Sequence, residues 1–392
     1  MFFDDEEFVK KVYILTVVLT SLLGMISSST EGMLLNKDGK YNEQNQAVCP
    51  NSIRPYLRIR KETIKRLKDT SLVTANYTCG DDDNTLHVRN FFQNFYYTVE
   101  GWYIENLIFD SSNSFSKIPD RRIQKERPLC DCKTVKQVVV PTSFTKIGSK
   151  VFLRFTNLKS ISISNVIEIG EAAFEGCTEL QSVLLSPELK RIADHTFECC
   201  ENLKKIAIPE KVTCIGAYAF YRTGLKSISI PKNVKEIGYN AFSGAKLEQV
   251  LITSKSTAIG AYAFSGSNLR EVSIPSTEIN QGAFSYCKKL RSVHLSSELR
   301  LIANNTFEHC KSLKRISIPE SVTSIGRSAF YLSGLTCISV PMNVTNIDRY
   351  CTFYCESLVL VEFLNPNAKH MIRSSAFYSD PSKLVILIPF EQ

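Results

Sequence analysis

The chain has 392 residues, 44% hydrophobic and 22% charged, with a net charge of +8 and thirteen cysteines. That balance excludes an intrinsically disordered polymer and a disulfide-built miniprotein, and the length points to several units or a repeat array. The basic surplus inclines the surface toward acidic partners without specifying one; no nucleic acid is expected, and the odd cysteine count leaves at least one thiol unpaired or intermolecular.

Residues 1–29 carry an uncharged, mostly apolar run from Val12 to Ile26, preceded by Lys10 and Lys11 and followed by Ser27, Ser28 and Ser29. The pattern resembles a secretory signal peptide, although Asp4, Asp5, Glu6 and Glu7 make the leader acidic where a basic one is the rule. The run is shorter than the roughly 20 apolar residues that span a bilayer. Three readings stand: a cleaved export signal on a secreted or cell-surface chain, an uncleaved anchor that would be its one membrane attachment, or a buried segment of a cytoplasmic protein. Sequons at Asn76, Asn304 and Asn343 are glycosylation acceptors if the chain is exported.

Residues 30–133 show no repeat and read as an N-terminal capping region. A short helix is expected over 61–72, and Gly80 to Asn84 is a turn signal. Asp81, Asp83 and Thr85 imitate the start of a calcium loop, but Leu86 stands where its glycine belongs and Phe92 where its closing glutamate belongs, so the reading fails. The run from Phe91 to Phe109, which includes Trp102, reads first as core filler and second as a surface that stacks sugars or bases. Cys49, Cys79, Cys130 and Cys132 would staple this cap through one or two disulfides in an exported chain; three pairings are open.

From residue 134 to 392 a repeat takes over. Phenylalanines recur at 152, 174, 197, 220, 242, 264, 284, 307, 330, 353 and 377. An isoleucine followed by a small residue precedes most of them, as at Ile147-Gly148, Ile192-Ala193, Ile237-Gly238 and Ile325-Gly326. A leucine-led alternation follows, as in Leu158 to Ile163, Leu203 to Ile208, Leu225 to Ile230 and Leu313 to Ile318, and proline often ends it. Ile-x-Ile is a strand with one buried face, and proline stops it because it cannot donate the next ladder bond. The Ile-Gly segment turns the chain, and the Phe corner is expected on a short helical or 3₁₀ turn. Each coil is about 22–23 residues. A single coil buries too few side chains to offset the ordering of its backbone, so coils persist only by stacking. Between Pro275 and Ile279 stand only Ser, Thr and Glu, and Asn280 replaces the glycine, so a local kink is expected in the coil ending at Phe284.

The unit Leu-x-x-Ile-x-Ile-Pro-x-x-Val-x-x-Ile-Gly-x-x-Ala-Phe-x-x-Cys resembles the BspA-type leucine-rich repeat. The fullest copies are Leu203 to Phe220, with Pro209, Val212, Ile215 and Gly216, and Leu313 to Phe330, with Pro319, Val322, Ile325 and Gly326. The resemblance implies a right-handed leucine-rich-repeat solenoid of about eleven coils. More loosely, it implies surface proteins of bacteria, protozoan parasites or commensals that adhere to host cells or matrix. It carries no active site with it.

Cys177, Cys200, Cys287 and Cys310 each follow a repeat phenylalanine by three residues and read as core filler. No cysteine spacing with accompanying histidine fits zinc, no nucleotide, metalloprotease or nucleophile-elbow motif occurs, and the five histidines are scattered. Neither an enzyme nor a cofactor is expected. Lys159, Lys204, Lys226, Arg270, Arg291 and Lys314 follow the strand leucine in six coils, with Lys205 and Arg315 beside two of them. Stacking would align them into a basic stripe: either a docking face for an acidic protein or glycan, or a solvated sheet face on which lysine discourages aggregation.

Overall fold

The computed structural model describes residues 34–35, 41–42, 77–79, 85–88, 106–109, 117–118, 135–368, 376–377 and 384–389. The apolar run 12–26, the helix expected over 61–72, the aromatic run before residue 106 and the Asn76 sequon lie outside the described residues, and the pairing among Cys49, Cys79, Cys130 and Cys132 rests on residues outside them.

From residue 135 onward the described residues form a parallel β-solenoid of about eleven turns. Each regular coil contributes a four-residue strand, such as Ser160–Ile163, Ser227–Ile230 or Cys337–Val340, and a two-residue strand, such as Lys146–Ile147 or Glu236–Ile237. Every strand pair from residue 135 onward is parallel and in register one coil apart, as with Ser182 opposite Ser160 and Ile237 opposite Ile215. Register is secured because a one-residue slip would carry the isoleucines to water. Ile161, Ile163, Ile228 and Ile230 face inward, while Ser160, Ser162, Ser227 and Ser229 face out.

Both sheets continue toward the N-terminus beyond residue 134. Asn106–Phe109 pairs in parallel with Gln137–Val139, Thr85–Val88 with Asn106–Phe109, and Lys117–Ile118 with Lys146–Ile147. The long-strand sheet is not continuous along the array. Segments 205–208 and 315–318 carry the Ile-x-Ile pattern without forming ladder strands, so the sheet divides into blocks.

The phenylalanine corners form a third hydrogen-bonded side. Around Phe197 the amides of His195, Phe197 and Cys199 each donate at 2.8 Å to carbonyls of Ala217, Ala219 and Tyr221 in the next coil. Of the short helical or 3₁₀ turn expected at the corner, successive i→i+3 bonds form but no continuous helix, because residues two before and two after each stacked phenylalanine are left-handed: φ is 58° at His195 and 57° at Cys199, and 55° at Tyr218 and 53° at Arg222. A left-handed residue cannot continue a right-handed helix, and it costs about 1–2 kcal/mol when it carries a Cβ. The inter-coil bonds and the buried ring offset that cost. Rings from Phe152 to Phe330 are buried and stacked face to face; Phe220, Phe242 and Phe264, for example, lie 5.1 and 5.3 Å apart, near parallel.

The column fails at one expected position. The amide of Phe330 donates to Cys351 and that of Thr352 to Ala376, so Thr352 holds the buried phenylalanine slot. Phe353 leaves the spine, half-buried, and stacks on Tyr331 with ring centroids 6.2 Å apart. The core place expected for Phe353 is therefore corrected. The interval from the preceding isoleucine shows why: it is five residues in every regular coil, and five after Ile347 is Thr352.

The shortened coil interrupts the short-strand sheet, where only an isolated bridge joins Ile259 to Ile279. Buried Ser276 caps the abbreviated turn by donating to the Thr257 carbonyl at 2.6 Å and accepting from the Glu278 amide at 3.1 Å. Lys255 crosses the missing turn to reach Glu298 at 2.5 Å.

Candidate binding surfaces

The outer face of the long strands exposes Ser162, Ser229, Ser273, Ser317 and Ser339, with exposed Leu184, Leu251 and His294 in the same outward column. Lys159, Lys204, Lys226, Arg270, Arg291 and Lys314 stand at its edge, one residue before each strand or strand-like segment, and all are exposed. Backbone bonds hold parts of this column in register: the carbonyls of Lys226, Arg270 and Lys314 accept from Glu248, Arg291 and Thr336 at 2.8–2.9 Å. The stripe is broken, because Gln181 and Glu248 occupy the equivalent places in two coils. Glu248 lies 3.5 Å from Arg270. The other five cations have no carboxylate partner among the described residues. Lys204 and Lys226 are neighbours in the stack, as are Arg270, Arg291 and Lys314, with exposed Lys205 and Arg315 alongside. Neighbouring strands lie about 4.8 Å apart, so each group concentrates like charge well within a Debye length.

The corner face holds a feature that the sequence reading missed. His195 stacks on Tyr218 at 4.9 Å, Tyr218 meets Tyr239 edge to face at 5.4 Å, and Tyr239 meets Tyr262 at 6.0 Å. Farther along, Tyr286 stacks on His309 at 4.3 Å, and His309 meets Tyr331 at 5.8 Å. Arg222 lies over Tyr221 and Arg327 over Tyr350. The available signal was tyrosine or histidine two or three residues before, or one or two after, the phenylalanine in consecutive coils. These side chains belong to the left-handed residues and their neighbours, which turn them outward.

Near the N-terminal end of this ribbon, His195 is paired with Glu198. Glu175 is held above the usual carboxylate range, first by burial and then by the charge of Glu198. His309 is pushed below its ordinary value by burial. The cysteines three residues after the phenylalanines are buried, as expected for core filler, and they also donate hydrogen bonds. The thiols of Cys177, Cys200, Cys287 and Cys310 reach carbonyls of Phe152, Phe174, Phe264 and Phe284 at 3.1–3.3 Å. Burial raises the Cys287 thiol to about 11 and those of Cys200 and Cys310 well above normal, so they are poor nucleophiles.

Of the two described sequons, Asn343 and Thr345 are both exposed, with the Asn343 amide donating to Glu320 at 2.9 Å. Asn304 is exposed, but Thr306 is buried and bonded to Ala303 at 2.7 Å.

A family model described as the BspA type Leucine rich repeat region matches residues 122–248, 235–359 and 277–389. No curated protein matches the chain. Among solved structures, a leucine-rich repeat protein from Bacteroides ovatus is 24% identical with a TM-score of 0.53, covering 80% of this chain and 76% of its own. The pneumococcal vaccine antigen PcpA is 18% identical with a TM-score of 0.49, over 74% of this chain and 75% of that one. A leucine rich cell surface protein from Faecalibacterium prausnitzii is 24% identical with a TM-score of 0.39, over 75% and 94%. At these identities the likeness to the Bacteroides protein is one of fold.

Proposed function

The chain belongs to the BspA-type leucine-rich-repeat family, and from that premise we propose that it is a non-catalytic binding module, secreted or held at the cell surface, that docks an acidic protein or glycan across its long-strand face. The observation that carries this reading is the grouping of unneutralised cations at the edge of the long-strand face: Lys204 with Lys226, and Arg291 with Lys314 beside Arg270. Like charges held this close repel in the free protein, and a polyanion laid across them relieves that repulsion. Outward serines on the adjoining strands supply hydroxyls to oxyanions. Adhesion to host cells or matrix is the corresponding biological role. Export is supported by the apolar run from Val12 to Ile26 with Ser27 to Ser29 after it.

The test uses heparin and poly-glutamate as probes. Wild-type protein is expected to bind with affinity that falls steeply as salt rises. Lys204→Glu, Lys226→Glu and Arg270→Glu together are expected to weaken binding by at least about tenfold and flatten the salt dependence. Unchanged retention would remove the stripe from the function. The acidic leader, Asp4 to Glu7, favours a second reading, an intracellular scaffold using the same face. N-terminal sequencing of mature protein separates the two: a start near Ser28 or Thr30 supports export, and an intact Met1 sinks cleavage.

A further inference from the structure

One stretch of the stack is present twice. Leu203 to Glu210 returns five coils later as Leu313 to Glu320, with Lys204 and Lys205 answered by Lys314 and Arg315, and Pro209 by Pro319. The local structure returns with it. The thiols of Cys200 and Cys310 each donate to a phenylalanine carbonyl of the preceding coil at 3.2 Å. The hydroxyls of Thr196 and Thr306 each donate to the alanine carbonyl three residues before them at 2.7 Å. Asp194 and Asn304 accept from backbone amides of the following coil, those of Ala217 and Arg327, at 3.1 and 2.8 Å. Segments 205–208 and 315–318 also share their departure from the ladder. The two blocks are copies of one unit, shifted along the stack by about 24 Å at the usual strand spacing.

Packing explains why the interiors of the copies agree, and it makes no such demand of the surface. Exposed positions have diverged: Gln181 corresponds to Arg291, Leu184 to His294 and Lys232 to Met342. The basic pair has not. With one cation from an adjoining coil, Lys226 beside the first pair and Arg291 beside the second, each copy carries an island of three exposed cations. Between the islands the carboxylates of this face are already engaged, Glu248 with Arg270 at 3.5 Å and Glu271 with His294 at 3.3 Å.

Resting on the reading of this face as a dock for an acidic partner, we propose that the two islands are equivalent subsites and that their occupant is a linear anionic polysaccharide long enough to lie on both. Symmetry selects a polymer. Two sites related by a shift along one direction are matched by a ligand that repeats along one direction, whereas a folded acidic protein would need two like patches at the same interval. Direction selects the class of polymer. The line joining the islands runs across the strands, so an acidic peptide laid along it cannot pair its backbone with a sheet edge. A sugar chain has no such ladder to complete. Anions of one stretch settle on Lys204, Lys205 and Lys226, those of another on Arg291, Lys314 and Arg315, and the second contact forms within the complex made by the first.

The experiment uses the full chain with a heparin tetrasaccharide, shorter than the interval, and a heparin dodecasaccharide, longer than it, both followed by calorimetry. Two tetrasaccharides are expected to bind per chain, and one in either Lys204→Glu with Lys205→Glu or Lys314→Glu with Arg315→Glu. One dodecasaccharide is expected per chain, at least about tenfold tighter than the tetrasaccharide, with that gain lost in both variants alike. Circular dichroism and thermal melts establish that each variant is folded. The proposal is overturned by a length-dependent gain that survives in either variant, or by one that appears with poly-glutamate of matching length and not with heparin. A single tetrasaccharide per wild-type chain also overturns it while leaving the stripe in place. Binding of neither oligosaccharide removes the stripe and the paired subsites together.

Discussion

Thr352 takes, one coil on, the slot that the ring of Phe330 fills. The amide of Phe330 donates to Cys351 at 2.8 Å, and the Thr352 hydroxyl is buried with no hydrogen-bond partner among the described residues. A hydroxyl in that position carries the desolvation cost without a compensating bond. Thr352→Val keeps the volume and removes the hydroxyl, and is expected to raise stability by about 1–2 kcal/mol, read as a higher urea midpoint. A lower midpoint would mean that the hydroxyl has a partner.

The same register separates two phenylalanines that look equivalent in sequence. Phe242 sits between Phe220 and Phe264 in the stacked column, fully buried. Phe353 lies outside it, against Tyr331 and Tyr354. Phe242→Ala is expected to cost about 3–5 kcal/mol, and Phe353→Ala clearly less, because a half-buried ring leaves a smaller cavity. Equal losses in parallel denaturant titrations would contradict the assignment of Thr352 to the core slot.

Glycines after the inward isoleucine are constrained by the neighbouring coil. A Cβ on Gly238 would stand 2.7 Å from the amide nitrogen of Ala217 and from the carbonyl carbon of Gly216, both backbone. Neither can yield without separating the coils, so Gly238→Ala is expected to cost about 1–3 kcal/mol, as overpacking does. Gly244→Ala meets only the flexible Arg222 side chain at 3.2 Å, and its penalty comes from a φ of 67°. Thermal melts should rank Gly238→Ala as the more damaging change.

Glu175 links stability to pH. Burial and the neighbouring Glu198 raise its folded value above the ordinary 4.5. For such a carboxyl the folded state prefers the protonated form, so its favourable contribution is present below the unfolded value and is lost as pH rises through the folded one. Glu175→Gln is accordingly expected to stabilise the chain at neutral pH, with the gain shrinking as the medium is acidified past the carboxylate range. Melts of both proteins across that interval measure it; a gain that grows on acidification would reverse the sign.

The coil period, the inward isoleucines and leucines and most of the phenylalanine column were legible in the chain, because burial depends on apolar side chains recurring at fixed spacing. The cations at 159, 204, 226, 270, 291 and 314 were legible for the same reason. Tertiary structure decided the rest. Segment 205–208 has the same Ile-x-Ile pattern as 227–230, yet only the latter ladders, since pairing depends on how neighbouring coils meet. The departure of Phe353 and the convergence of Tyr218, Tyr239 and Tyr262 follow from register and from left-handed turns at residues that carry a Cβ. Composition does not encode such turns, because that backbone is strained in isolation and is held only by hydrogen bonds and ring contacts from the coils on either side.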